Sequence, residues 1–247
     1  NMRKKPLQYV INYFRKLEAD PYFTFPWIIE QDKSLQDSIG KDKCEIIYFL
    51  LATDINSNEN GYIKQTKRFN RLLNLLINSN ATIGLHTSYT AGKEPVKTIK
   101  EALRLRKVTK LPINSNRYHI LACREPEDTK MLIRAGIRDD FTFAYADISG
   151  FRLGTCHSVR WIEPTTMDIT SLTLHPLIIM ECSLDRPEYM NLSEEEANKY
   201  CLHLIDQVKK HCGELVLLWH NNVFAKETNN YQRKLYCSLI NYLGDNR

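Results

Sequence analysis

The chain has 247 residues, of which 43% are hydrophobic and 26% charged, with a formal net charge of +5. This is the balance of one soluble α/β-sized domain with a full core; it argues against a disordered or low-complexity chain. The basic residues are scattered apart from Arg3, Lys4 and Lys5 at the start and Arg104, Arg106 and Lys107 on one helix, so no nucleic-acid surface is expected.

In chain order, residues 6–18 carry a helical stripe of Leu7, Val10, Ile11, Phe14 and Leu17, stopped by Asp20-Pro21. The aromatic stretch Tyr22–Trp27 leads into a short helix. Cys44–Leu51 is a continuous apolar run and reads as a buried strand. Residues 56–61 form a polar loop and 66–78 a helix. A strand ends at His86, and 94–106 is the next helix. A strand over 117–123 follows, then a helix with Pro126 in its first turn and Gly136 as its cap. Residues 141–146 read as a strand, 150–164 as irregular and 171–182 as a strand. Ser193 and Glu196 form a capping box that opens a helix to about Cys212. A strand over 215–220 and a helix over 228–243 complete the chain. Strand and helix alternate, which predicts a mostly parallel sheet, open or closed into a barrel, in one domain over 1–247.

Seven cysteines, an odd number without C-x-x-C spacing, point to a reducing, cytoplasmic setting rather than to a disulfide framework or a zinc knuckle. No apolar run reaches the ~18 residues of a membrane span, and no secretory signal is visible. The first residue is Asn, and the chain reads as a piece of a longer protein.

Three of the apolar runs end in histidine: His86, His119 and His220. The carboxyl ends of strands converge on the active face of α/β folds. Neutral imidazole serves there as a metal ligand or as an acid–base group. His86 and His119, from successive strands, are candidate ligands of one divalent metal, and His220 a candidate acid. His157, His175, His203 and His211 read as capped, core or boundary residues. Arg152, between Gly150 and Gly154, could orient a carboxylate or pair with Asp139, Asp140 or Asp147. Asp54 is either a carboxylate ligand or a plain loop residue. Ser88 lacks the G-x-S-x-G elbow of a nucleophile and reads as a hydrogen-bonding partner of the site. Tyr89 and Trp219 are candidates for stacking on a sugar ring, with core packing as the alternative, and Asn221 is a further binding candidate. No phosphate-binding loop is present.

The segments Gly84-Leu-His-Thr-Ser-Tyr89, Asn116-Arg-Tyr-His-Ile-Leu121, Gly150-Phe-Arg-Leu-Gly-Thr155 and Leu217-Leu-Trp-His-Asn221, in this order, resemble a divergent bacterial branch of the polysaccharide deacetylases, the NodB-type carbohydrate esterases. The resemblance runs from about residue 20 to 225. It implies a distorted (β/α) barrel of about seven strands and a divalent metal, usually zinc, held by one Asp and two His. The implied reaction is hydrolytic removal of acetyl groups from a poly- or oligosaccharide. His86 matches the first metal histidine and His220 the leaving-group histidine, and Arg117 or Arg152 matches the arginine that holds the base. His119 belongs to the branch's Arg-x-His pattern. The second metal histidine would fall on Thr90, and the aspartate motif would precede Asp20-Pro-Tyr22, where Glu18 is the only acid among residues 1–19. The motif is therefore expected upstream of this chain. The alternative is an inactive deacetylase-like domain that binds carbohydrate or acts as a scaffold.

Overall fold

The computed structural model describes residues 17–53, 66–225 and 231–245. The helix expected over 6–18, the loop at 56–61 and Asp54 lie mainly or wholly outside these residues. The elements are α1 (Phe25–Ile39), β1 (Ile47–Leu51), α2 (Lys67–Asn78), β2 (Thr82–Thr87), α3 (Tyr89–Lys93), α4 (Val96–Thr109), β3 (Ser115–Tyr118) and α5 (Glu127–Arg134). They continue as β4 (Asp139–Asp140), β5 (Val159–Ile162), β6 (Ile169–Leu174), β7 (Leu177–Met180), α6 (Glu181–Asp185), α7 (Glu194–Lys210), β8 (Val216–Leu218) and α8 (Tyr231–Asp245).

The result is a mixed α/β fold with a mostly parallel central sheet. Its strand order is β1-β2-β3-β4-β6-β5, parallel throughout except for the β5–β6 pair. A second, two-stranded parallel sheet is formed by β7 and β8. The two sheets are stitched together where Leu177 N donates to Phe143 O at 3.1 Å, which sets β7 beside the chain leaving β4.

Side-chain alternation assigns each face. On β1, Tyr48 and Leu50 pack with the large core formed by β2, α2, α4 and α5, including Ile83, Leu85, Leu76 and Leu105. Ile47 and Phe49 point the other way, toward Phe141, Leu177 and Val216. On β8, Val216 and Leu218 join that same inner cluster, whereas Leu217, and Trp219 just beyond the strand, pack with α7 and α8. Leu85 is fully buried, and truncating such a leucine to alanine costs about 2–5 kcal/mol. Gly84 on β2 leaves room for β1: a Cβ there would lie 2.6 Å from the Phe49 ring.

Caps act where the sequence places them. The Ser193–Glu196 capping box opens α7, and Gly136 takes φ 74° just beyond α5. Several expectations are corrected. The helix after Trp27 is 15 residues long, with Pro26 in its first turn. The segment 141–146 is not a strand, because β4 ends at Asp140 and the Thr142 side chain turns back to bond the Asp140 carboxylate. The expected irregular stretch 150–164 contains β5, which pairs antiparallel with β6. The expected strand over 171–182 is broken by His175-Pro176 into β6 and β7, and Glu181 already begins α6. Proline has no N–H to continue the ladder, so the strand ends there. No helix among the described residues is long and apolar enough to cross a membrane.

Candidate functional site

His86 lies at the carboxyl end of β2, opposite Arg117 in the β2–β3 register. Its Nδ1 is 2.8 Å from the Arg117 carbonyl oxygen. A carbonyl only accepts, so Nδ1 carries the hydrogen and Nε2 keeps its lone pair. Burial, with further contributions from the nearby His119, Arg117 and His220, outweighs this hydrogen bond and lowers the His86 pKa to about 3. The ring is neutral at any ordinary pH. A backbone carbonyl that fixes the tautomer in this way leaves the other ring nitrogen able to act as a ligand.

His119 begins the short 3-10 turn that follows β3, and its ring centre lies 5.2 Å from that of His86. The two residues after it, Ile120 and Leu121, take φ of 51° and 57°. A β-branched residue in this left-handed region is strained. Ile120 projects outward, 64% exposed.

His220 follows β8. Its Nδ1 is 2.5 Å from Glu181 Oε1, and Glu181 is 1% exposed. The second carboxylate oxygen, Glu181 Oε2, is buried without a hydrogen-bond partner among the described residues. Cys182 completes a group of three in which one ligand atom each from Glu181, Cys182 and His220 lies within 4.8 Å of the others. Such a group could hold a metal ion. Burial and the Glu181 charge push the Cys182 thiol up to about 11, so ligation by sulfur would release a proton.

Arg117 is buried, its Nε donating to Phe141 O at 3.0 Å and its guanidinium carbon 4.6 Å from the centre of the Phe49 ring. Burial lowers its pKa to about 10 against the opposing pull of Asp140 and Glu181, so it remains a cation. Asp140 is fully buried and accepts from Asn116 Nδ2 at 2.7 Å and Thr142 Oγ1 at 2.8 Å. Burial raises its pKa to about 6 despite these bonds.

His86, Arg117, His119, Trp219, His220 and Asn221 line one cavity of about 840 Å³ between β1 and β8, which also reaches α1 and α8. The Trp219 indole is fixed by donating to Gln232 Oε1 at 3.0 Å, and Asn221 O accepts from Thr24 Oγ1 at 2.9 Å. Three sequence candidates stand elsewhere. Ser88 is fully buried: it caps α3, and its hydroxyl donates to Glu101 Oε1 at 2.5 Å. It is committed to that helix start rather than to the cavity. Tyr89 is exposed with Lys93 Nζ 4.7 Å from its ring centre, and it does not line the cavity. Arg152 donates to Ala144 O at 2.8 Å and is absent from the cavity wall; among the described residues it forms no ion pair with Asp139, Asp140 or Asp147.

Glu181 and Cys182 were not legible as site residues, because they close the apolar run Leu177–Met180 that reads as continuing strand. An acid directly after a buried run is the same signal that singles out the histidines. His86 and His119 do not belong to a group of three ligand atoms within 4.8 Å among the described residues. Comparison of the chain with protein-family models, curated proteins and solved structures finds no match.

Proposed function

We propose that the protein is a divalent-metal-dependent hydrolase that removes acetyl groups from a poly- or oligosaccharide, on a distorted and open (β/α) barrel. The observation that carries this reading is that three histidines from separate strand ends line one cavity, with His220 held by a buried carboxylate. The motif resemblance supplies the substrate class.

The residues fit a cation on two counts: the lone pair that the Nδ1 hydrogen bond leaves on His86 Nε2 and the orphaned Glu181 Oε2. His86 and His119 are the first candidates to hold it, with Glu181 and Cys182 as neighbouring donors. A bound divalent ion such as zinc supplies Lewis acidity toward an acetyl carbonyl and toward water. The chain's own groups do the remainder. Glu181 accepts from Nδ1 of His220, which aims Nε2 to deliver a proton to the departing amine or hydroxyl. Arg117 lends a fixed positive charge to a cavity in which negative charge develops. Trp219 and Asn221 offer a ring face and an amide to the sugar.

The test is metal content by mass spectrometry together with acetate release from N-acetylated and O-acetylated oligosaccharides. The expected result is a bound divalent metal and acetate release that His220→Ala abolishes. Neither metal nor acetate above that variant's background would overturn the hydrolase.

One observation favours a second reading, a sugar-binding or scaffold domain without turnover. Asp140 is saturated by Asn116 and Thr142, and Glu181 already holds His220 through Oε1, so neither carboxylate is placed as a dedicated base beside His86. Binding of acetylated oligosaccharide without acetate release is the outcome expected of that domain.

A further inference from the structure

β7 and β8 run parallel with Met180 opposite Leu218, so the residues that follow the two strands emerge side by side. Glu181 and Cys182 come directly after β7, and His220 comes two residues after β8. A carboxylate, a thiol and an imidazole thus reach one point, with one ligand atom each within 4.8 Å of the others. The scaffold behind them is tied. Gln232 of α8 donates to Asp185 Oδ2 of α6 at 2.8 Å and accepts from Trp219 Nε1 at 3.0 Å. Ser183 Oγ donates to Ala146 O at 2.9 Å. These bonds hold α6 and the residue before His220 in one register, which is the support a ligand set needs.

The pairing of Glu181 with His220 accounts for only half of the carboxylate. Oε1 takes His220, while Oε2 is buried with no hydrogen-bond partner among the described residues. Arg117 feels the Glu181 charge, but its Nε donates to Phe141 O, and among the described residues the two form no ion pair. A buried carboxylate oxygen costs free energy unless a proton donor or a cation compensates it.

We propose that Glu181, Cys182 and His220 form a thiolate-bearing site for a zinc-class divalent ion, separate from the His86–His119 pair. Neither His86 nor His119 belongs to the group. The donors are one oxygen, one sulfur and one nitrogen. The sulfur selects zinc or cobalt over magnesium and calcium, which take oxygen donors. A tetrahedral ion with bonds of ~2.0–2.3 Å keeps its donors about 3–4 Å apart, so the group closes on it by a small turn of the side chains. Binding breaks the S–H bond of Cys182, forms the bond from sulfur to the ion and releases the proton to solvent.

The site stands apart from the hydrolase reading, but its consequence for turnover rests on that reading. His220 is shared, since it also lines the cavity. An imidazole bound to the ion no longer delivers a proton to a leaving group. Excess zinc therefore switches off acetate release through Cys182, which stands outside the cavity wall.

The test is titration of the chain with cobalt(II), read by the thiolate-to-cobalt charge-transfer band in the near ultraviolet. The expected result is a band that Cys182→Ser abolishes and His86→Gln leaves in place, with cobalt affinity lowered at least about 10-fold by Glu181→Gln. No band, or a band that survives Cys182→Ser, overturns the site. Cobalt bound through His86 and His119 without the band overturns it and leaves the hydrolase standing. A band without any acetate release supports the site and overturns both the hydrolase and the regulation. Where acetate is released, zinc beyond the amount that gives the full rate is expected to inhibit, and Cys182→Ser to relieve that inhibition. Absence of inhibition, or inhibition that Cys182→Ser does not relieve, overturns the regulation.

Discussion

Two histidines in this molecule occupy partly buried positions and are driven in opposite directions. His86, beside the cavity, meets a backbone carbonyl, two other histidines and an arginine, and it is held neutral with a pKa near 3. His175, between β6 and β7, stacks on Phe141 at 4.3 Å and lies between two carboxylates, with Nδ1 2.8 Å from Glu214 Oε2 and Nε2 3.1 Å from Asp139 Oδ1. Burial works against its charge, but the bonds to Asp139 and Glu214 prevail and raise its pKa to about 9. Burial alone therefore decides neither case. The partner does, and it separates an imidazole with a free lone pair from one that serves as a structural cation.

The comparison can be broken at four points. The largest effect is expected at the cavity. His220→Ala should lower acetate release by about 10³-fold, the range of a lost general acid, while the far-end residue change His175→Gln leaves turnover unchanged. Steady-state kinetics of the two variants check this.

The second effect is acid stability. The native pKa of His86 lies below its usual 6.5, so below pH 6.5 the unfolded chain binds a proton that the native one does not. Stability should fall as pH drops from 6.5 toward 3, by up to about 5 kcal/mol from this group. Urea unfolding of His86→Gln across that window should show a flatter acid limb.

The third has the opposite sign. His175 has a raised native pKa, so its contribution is complete below pH 6.5 and is lost as pH rises through 9. The loss should be about 2 kcal/mol, allowing for partial solvent screening of the pair. His175→Gln should flatten the alkaline limb and leave the acid limb alone. The smallest effect is at the rim. Ile120→Gly relieves a left-handed β-branched residue whose side chain packs little, and should raise stability by about 0.5 kcal/mol after the added chain entropy of glycine. A thermal melt that falls instead would show that Ile120 makes a contact worth more than its strain.

Local rules made much of this fold legible. The capping box at Ser193, the Gly136 cap and the amphipathic stripe of 66–78 each depend on neighbours in sequence, and each appears where expected. The placement of His86, His119 and His220 on one cavity was readable because strand ends share a face in a parallel sheet; Arg117 was suggested only by the motif resemblance. What depends on distant partners was not readable. Ser88 resembles a site residue until Glu101, thirteen positions away, claims it. Arg152 has glycine neighbours suited to a binding loop, yet its guanidinium is spent on a carbonyl. Glu181 is concealed by the apolar run before it, and its role emerges only once β8 brings His220 across.

Arg117 has one more consequence. Its charge sits between the Phe49 and Phe141 rings, sheltered from mobile ions, so its field inside the cavity is weakly screened. Raising the salt concentration in solution should then weaken the approach of an anionic ligand from outside far more than its hold once inside. On the proposed reading, the arginine would act on a ligand as a standing potential, at a distance, rather than as a hand that grips it.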